Sequence, residues 1–265
     1  MRVLYIGDIM GKPGRKTVTL ILPSLKKDLD VDFVIAQAEN IDNNGKGPRP
    51  SDLEDMQKCG VDFFTGGNHS FSNPKTNELY DNASSPLIRP ANVVDQLGYG
   101  SKVVKHGKTR ILIASILGQT VGNQQVEASN PLYAMDSILM AQKGSYDVSI
   151  VNFHGDFSSE KRVFGYYLDG KVSAVVGDHW HVPTADAMIL PDGTAHITDV
   201  GMCGALHSSL GVKTDVIIKR WKNGVISKNE MEEDGALQFN ALLIDMDEKT
   251  GKSKKVEHVQ RIIEK

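Results

Sequence analysis

The sequence predicts an α/β protein, a layered sandwich in which a second, mixed sheet packs on the first. Three observations carry that expectation. Short apolar runs recur along the chain, and each closes on glycine or a polar residue. Stretches with helical signals fall between several of them. After residue 182 the texture becomes β-rich, which supplies the second sheet. Alternating strand and helix is the pattern of layered α/β architectures. No low-complexity linker or internal repeat divides the chain, so a single domain over residues 1–265 is expected.

The runs RVLYIGD (2–8), DFVIAQAEN (32–40) and VDFFTGGNH (61–69) are nearly all apolar before their ends. That suits strands buried on both faces. RILIASILG (110–118), YDVSIVNFH (146–154) and KVSAVVGDHWH (171–181) read as three more strands. A helix over 14–29 starts after Gly11 and Pro13, and Pro23 is expected to kink or end it. Over 50–60, Ser51 is the candidate N-cap, with Glu54 three residues on and Gly60 as the stop. The amphipathic stretch 130–144 also ends on glycine. Residues 185–204 read as a hairpin turning at Pro191, Asp192 and Gly193. TDVIIKRWKNG (214–224) reads as further β structure, and 239–263 as a hairpin turning near Gly251.

Composition narrows the function classes. A hydrophobic content of 40% is ample for a core, and the formal net charge of -3 gives no broad pull toward nucleic acid or membrane. Cys59 and Cys203 are too few for a disulfide framework, which favours a reducing compartment. The start MRVLYIGD lacks the pattern of a signal peptide, and no stretch has the apolar length to span a bilayer. A soluble, cytoplasmic protein is expected.

The strand ends carry the chemistry. They supply Asp8, then Glu39 and Asn40, then Asn68 and His69, then His154, then His179 and His181. Ligands of open α/β sheets sit beyond the carboxyl ends of the strands, where loops bring distant segments together. Each residue alone has a plainer explanation: Asp8 as a helix cap, Asn68 as a turn residue, His154 as a packing residue. Together they form an oxygen and imidazole donor set without thiolate, suited to Mn, Fe, Ni or Zn. The set is too large for one ion and about right for two, with Glu39 the best bridge. His179 and His181, two apart on an extended backbone, point to one face.

GDIMGKPGR (7–15) is not a P-loop. Three residues separate Gly7 from Gly11 where four are needed, and Pro13 stands where Ser or Thr should hold magnesium. Lys12 and Arg15 then read as a solvated helix face, with contact to a substrate phosphate as the alternative.

On these residues the chain resembles the calcineurin-like metallophosphoesterases, and more closely the bacterial YmdB family. The segments that carry the resemblance are GDIMGKPGR, AENIDNNGKG, GGNHSF, RPAN, FHGDFSSEK, GDHWHVPTADAMILPDGTAHITDVGMCG and DMDEKTGK, in order through almost the whole chain. The usual histidine two residues after the first aspartate is Met10 here, and Asn40 takes its place. The chain departs from the family at Asn152, where an aspartate is common, and in a shorter segment after Asn92.

The resemblance implies an α/β/β/α sandwich of two mixed sheets flanked by helices. It implies one metal held by Asp8, Glu39, Asn40 and His181, and a second held by Glu39, Asn68, His154 and His179. His69 matches the catalytic histidine. Two divalent or trivalent ions are expected, Fe or Mn first, with Zn, Ni or Mg as alternatives. The implied activity is hydrolysis of 2′,3′-cyclic nucleotides to nucleoside monophosphates. A homo-oligomer, dimer or tetramer, goes with the family. The rivals are the same centre acting on phosphomonoesters or other diesters, and a regulatory or RNA-binding protein with a structural metal site. No basic stripe with interleaved aromatics supports a stable nucleic-acid complex.

Overall fold

A computed structural model describes residues 1–94, 96–122 and 127–264. Along the chain run β1 (Arg2–Ile6), β2 (Asp8–Ile9), α1 (Gly11–Asp28), β3 (Phe33–Gln37), α2 (Pro50–Lys58), β4 (Phe63–Thr65) and α3 (Asn77–Asp81). There follow β5 (Ser101–His106), β6 (Thr109–Leu117), α4 (Pro131–Ala141), β7 (Val148–His154), α5 (Ser158–Tyr167) and β8 (Ala174–Asp178). The last elements are β9 (Met188–Ile189), β10 (Ala195–Ile197), β11 (Met202–Ala205), α6 (Thr214–Asn223), β12 (Leu237–Met246) and β13 (Ser253–Ile263).

Two mixed sheets result. The first has the order β2-β11-β12-β1-β3-β4, with β13 also paired to β12. The second has the order β5-β6-β7-β8-β10-β9. In β1 the side chains alternate between two cores, as the period of a strand demands. Val3 and Tyr5 join Ile111, Ile150 and Val176 of the second sheet. Leu4 and Ile6 face Val18 and Leu22 of α1. On the far side, Val151 and Phe153 of β7 pack with Met135 of α4 and Phe164 of α5. The layers are therefore α/β/β/α, as expected. All of β1–β3–β4 and β6–β7–β8 is parallel, which sends their carboxyl ends to one rim.

Several local expectations are corrected. Residues 214–223 form α6, not a strand: Asp215 sits in the first turn, Lys219 pairs with it at 3.2 Å, and Gly224 ends the helix at φ 65°. Pro23 lies inside α1, which begins at Gly11 and continues to Asp28. Proline at that exposed position removes one helix hydrogen bond, and burial of Val18, Leu22 and Leu25 outweighs the loss. Ser51 does not cap α2. Arg49 is held extended by the following Pro50 and becomes the N-cap by position. The strand over 171–181 stops at Asp178.

Candidate metal centre

The rim gathers all the predicted strand-end residues. Asp8 opens β2, Glu39 and Asn40 follow β3, Asn68 and His69 follow β4, His154 closes β7, and His179 and His181 follow β8. Around Glu39, His154 Nε2 lies 3.2 Å from Oε1 and 2.9 Å from Asn68 Oδ1. The rings of His154 and His179 meet edge to face at 4.5 Å between centroids. Glu39, His154 and His179 offer ligand atoms all within 4.8 Å of one another. Beside them, His181 Nε2 lies 3.3 Å from Asn40 Oδ1 and 3.7 Å from Asp8 Oδ1. The Asn40 amide donates to the Gly45 carbonyl at 2.8 Å, which leaves its oxygen toward His181. The His69 backbone amide donates to Glu39 Oε2 at 2.9 Å, and its ring lies at the cavity beside these groups.

The two histidines after β8 do not share a face by strand alternation. Both are left-handed, His179 at φ 100° and His181 at φ 62°, in a tight turn. Side chains rarely adopt this conformation, so the turn needs anchors. The His179 amide donates to Asp8 Oδ2 at 3.2 Å, and the Trp180 amide to Asp199 Oδ2 at 2.8 Å. The Trp180 indole donates to the Asp156 carbonyl at 3.0 Å, and Lys161 Nζ sits 4.1 Å over its ring. Lys161 is fully buried and also donates to Asp199 Oδ2 at 2.8 Å and to the Asp178 carbonyl at 2.6 Å.

The residues fit cations. Asp8 Oδ1 is buried with no hydrogen-bond partner among the described residues, a deficit of at least about 1–3 kcal/mol for such a group. Its carboxyl is pushed well above the ordinary range by burial and then by the charge of Asp178. Gly67 leaves room at the centre: a Cβ there would stand 2.2 Å from Glu39 Oε2 and 2.7 Å from His154 Nε2. Burial, the largest single influence, would raise Glu39. The charge and hydrogen bond of His154, together with the charges of His69 and His179, outweigh it and hold the carboxyl well below its ordinary value. Burial likewise works against a charged His154, and Glu39 and Asp178 overcome it to raise that ring. His179 and His181 are pushed down to about 4, by burial first and then, for His179, by His154. Neutral His179 and His181 beside the ionised Glu39 and the orphaned Asp8 oxygen are donors that would suit metal ions, with His154 giving up its proton on binding. Burial also lowers His69, against the charge of Glu39, which raises it.

Reading the strand ends missed the residues behind the rim. Asp178, fully buried, contacts His154 Nδ1 through Oδ1 at 2.6 Å. Its Oδ2 accepts from the Tyr5 hydroxyl at 3.1 Å, Gln37 Nε2 at 3.0 Å and Asn152 Nδ2 at 2.6 Å. Asn152 thus supports the carboxylate that orients His154, where a second aspartate would repel it. Asp156 contacts His179 Nε2 at 2.8 Å and accepts the Gly122 amide at 2.6 Å. Both acids were visible as members of the GDHWH and FHGD segments. The cations of the first loop point elsewhere: Lys12 pairs with Glu233 at 3.6 Å, and Arg15 donates to the Ile41 carbonyl and pairs with Asp52 at 3.6 Å. Arg15 is a brace for the Glu39–Asn40 loop, not a solvated residue.

A sandwich of two mixed sheets with such a rim defines a metal-dependent phosphoesterase. Residues 4–259 match the family described as YmdB-like protein, and the chain belongs to it. It is 35% identical over 260 residues to the 2′,3′-cyclic-nucleotide 2′-phosphodiesterase of Bacillus subtilis, covering 98% of this chain and 96% of that one. Among solved structures it is similar to a novel phosphatase from Mycoplasma pneumoniae, with 31% identity, a TM-score of 0.92 and coverage of 100% and 94%. A hypothetical protein from Thermus thermophilus gives 32% identity, a TM-score of 0.89 and 99% coverage of both chains.

Proposed function

We propose that the protein hydrolyses 2′,3′-cyclic nucleotides to nucleoside monophosphates, with two metal ions. Asp8, Glu39, Asn40 and His181 would hold one ion, and Glu39, Asn68, His154 and His179 the other. The observation that carries this is the donor group Glu39, His154 and His179 beside the His181–Asn40 pair, with the buried Asp8 oxygen left unpartnered among the described residues. Iron or manganese suits the mixed oxygen and imidazole set best. Two cations there supply Lewis acidity, lowering the pKa of a water and offsetting phosphoryl charge.

The chain's own residues do the rest. Glu39 and Asp8 bring negative charge to the ions, and Asp178 fixes which His154 nitrogen faces the centre. His69, half-buried at the cavity, donates a proton to the departing ribose oxygen. The approaching phosphate supplies the negative charge that raises the His69 ring toward protonation. The B. subtilis relative carries this activity in its name, and the 35% identity extends across the chain. Two free thiols, Cys59 and Cys203, accord with a cytoplasmic setting. Among the described residues no helix is long and apolar enough to cross a membrane.

The test pairs elemental analysis of purified protein with rates on 2′,3′-cyclic AMP, 3′,5′-cyclic AMP and a simple phosphomonoester. About two metal ions per chain and preference for the 2′,3′-cyclic diester are expected. Faster turnover of the monoester transfers the assignment to a phosphatase with the same centre. Full turnover by Glu39→Ala removes the metal centre from the reaction.

A further inference from the structure

No residue discussed so far is assigned to the substrate's phosphate, and Lys12 and Arg15 are engaged elsewhere. Two cavities meet at the rim. One, of about 240 Å³, is lined by Asn68, His69, Gly122 and His179. The other, of about 330 Å³, is lined by Glu39, Asn40, His69 and His181. Lys46, His69, His179 and Asn229 line both, so they stand where the two join.

Lys46 is, among the described residues, the uncommitted cation of that junction. Among the described residues, the cations around it have partners. Arg49 pairs with Asp42 and Asp52 at 2.8 Å each. Arg220 donates to the Ser227 carbonyl at 2.6 Å and Asn229 Oδ1 at 2.9 Å. The Lys46 ammonium has no carboxylate within ion-pair distance among these residues, and its side chain is exposed.

The backbone beneath it is fixed. Lys46 lies between Gly45 at φ 71° and Gly47 at φ 69°, both left-handed. A Cβ on Gly45 would stand 2.8 Å from the Met10 methyl, and one on Gly47 3.1 Å from the Asn73 nitrogen. The Gly47 amide donates to the Glu39 carbonyl at 2.6 Å, and Gly45 receives the Asn40 amide. The loop that presents Lys46 is therefore tied to two of the residues assigned to the ions. An exposed ammonium on a tethered loop, beside a histidine and open to both cavities, is the arrangement that meets an anion at that point.

We propose that Lys46 binds a non-bridging phosphoryl oxygen of the substrate, and of the phosphomonoester that leaves. Its role rests on the phosphoester reaction proposed above, and inorganic phosphate separates the two. The experiment titrates phosphate into the metal-loaded protein by calorimetry, and measures KM for 2′,3′-cyclic AMP, in wild type, Lys46→Met, Lys46→Arg and Lys12→Met. Loss of one charge-assisted contact predicts about 10- to 100-fold weaker phosphate binding and a matching rise in KM for Lys46→Met. Lys46→Arg should restore most of both, and Lys12→Met should change neither. Metal content should stay the same in all four. Equal phosphate affinity in wild type and Lys46→Met overturns the assignment, and so does loss of metal in Lys46→Met. A wild type that binds phosphate but leaves 2′,3′-cyclic AMP intact defeats the reaction instead, and the phosphate titration still decides Lys46.

Discussion

His69 and Asp178 sit on opposite sides of the donor set and should fail in different ways. His69 reaches the donor set only through its backbone amide, and its ring is open to the cavity. His69→Ala should therefore lower kcat by about 10²- to 10⁴-fold while metal content is unchanged. Metal analysis beside steady-state rates checks this, and loss of metal contradicts the proton-donor role. Asp178 never meets solvent and acts through His154. Asp178→Asn keeps the shape but removes the charge that holds the His154 ring. Apparent metal affinity should drop by about 10- to 100-fold, as for other groups that orient a ligating histidine. A competition titration with a chelating dye reads that directly, and an unchanged affinity leaves Asp178 a packing residue.

At the scale of elements, the turn after β8 depends on α5. Lys161 reaches from that helix to Asp199 and to the carbonyl of Asp178, and all three are buried. Lys161→Met leaves Asp199 buried without its cation, a loss of about 3–5 kcal/mol in unfolding free energy. Adding Asp199→Asn should recover part of it, because the uncompensated charge goes. Urea unfolding of the two variants distinguishes this from simple lost packing, in which the second change would add further loss. The same helix marks the limit of what the sequence reveals. Strands β1, β3 and β7 were legible because their apolar runs end abruptly on polar residues, and the donors sit at those breaks. Helix α5 carries no clear helix signal in the sequence, since FHGDFSSEK reads as a donor-bearing loop and Phe157, not a capping residue, stands at its N-terminus. Helix α6 was misread because Val216, Ile217 and Ile218 are β-favouring, although Asp215 and Gly224 carried ordinary helix-end signals. The histidine pair converged for a reason no periodicity encodes, a left-handed turn held by Asp8, Asp199 and Lys161.

Over the whole molecule the donor set joins the two sheets. Asp8, Glu39, Asn40 and Asn68 come from the first, and His154, His179 and His181 from the second. Bound ions would tie the layers together, so chelation should lower stability, with a pH dependence set by the rim. Unfolded histidines take protons near 6.5, whereas folded His179, His181 and His196 are pushed down to about 4. Between those values the unfolded chain binds more protons, so stability rises with pH. Asp8 and Asp199, both raised by burial, oppose them by at most one proton each. His154 has the reverse sign. Raised by Glu39 and Asp178, it keeps its proton above 6.5, so its contribution is complete below that value and is lost as pH climbs toward its folded pKa. The chelated protein should therefore be most stable near pH 6.5, with each proton worth about 1.4 kcal/mol per pH unit on either limb. Bound cations would displace the His154 proton, so the loaded protein should lack the decline above 6.5. Urea midpoints across roughly pH 5 to 8, with and without EDTA, test both limbs. A metal-free curve that keeps rising above 6.5 would mean that His154 is neutral between Glu39 and Asp178, and that the rim is not held by charge when the ions are gone.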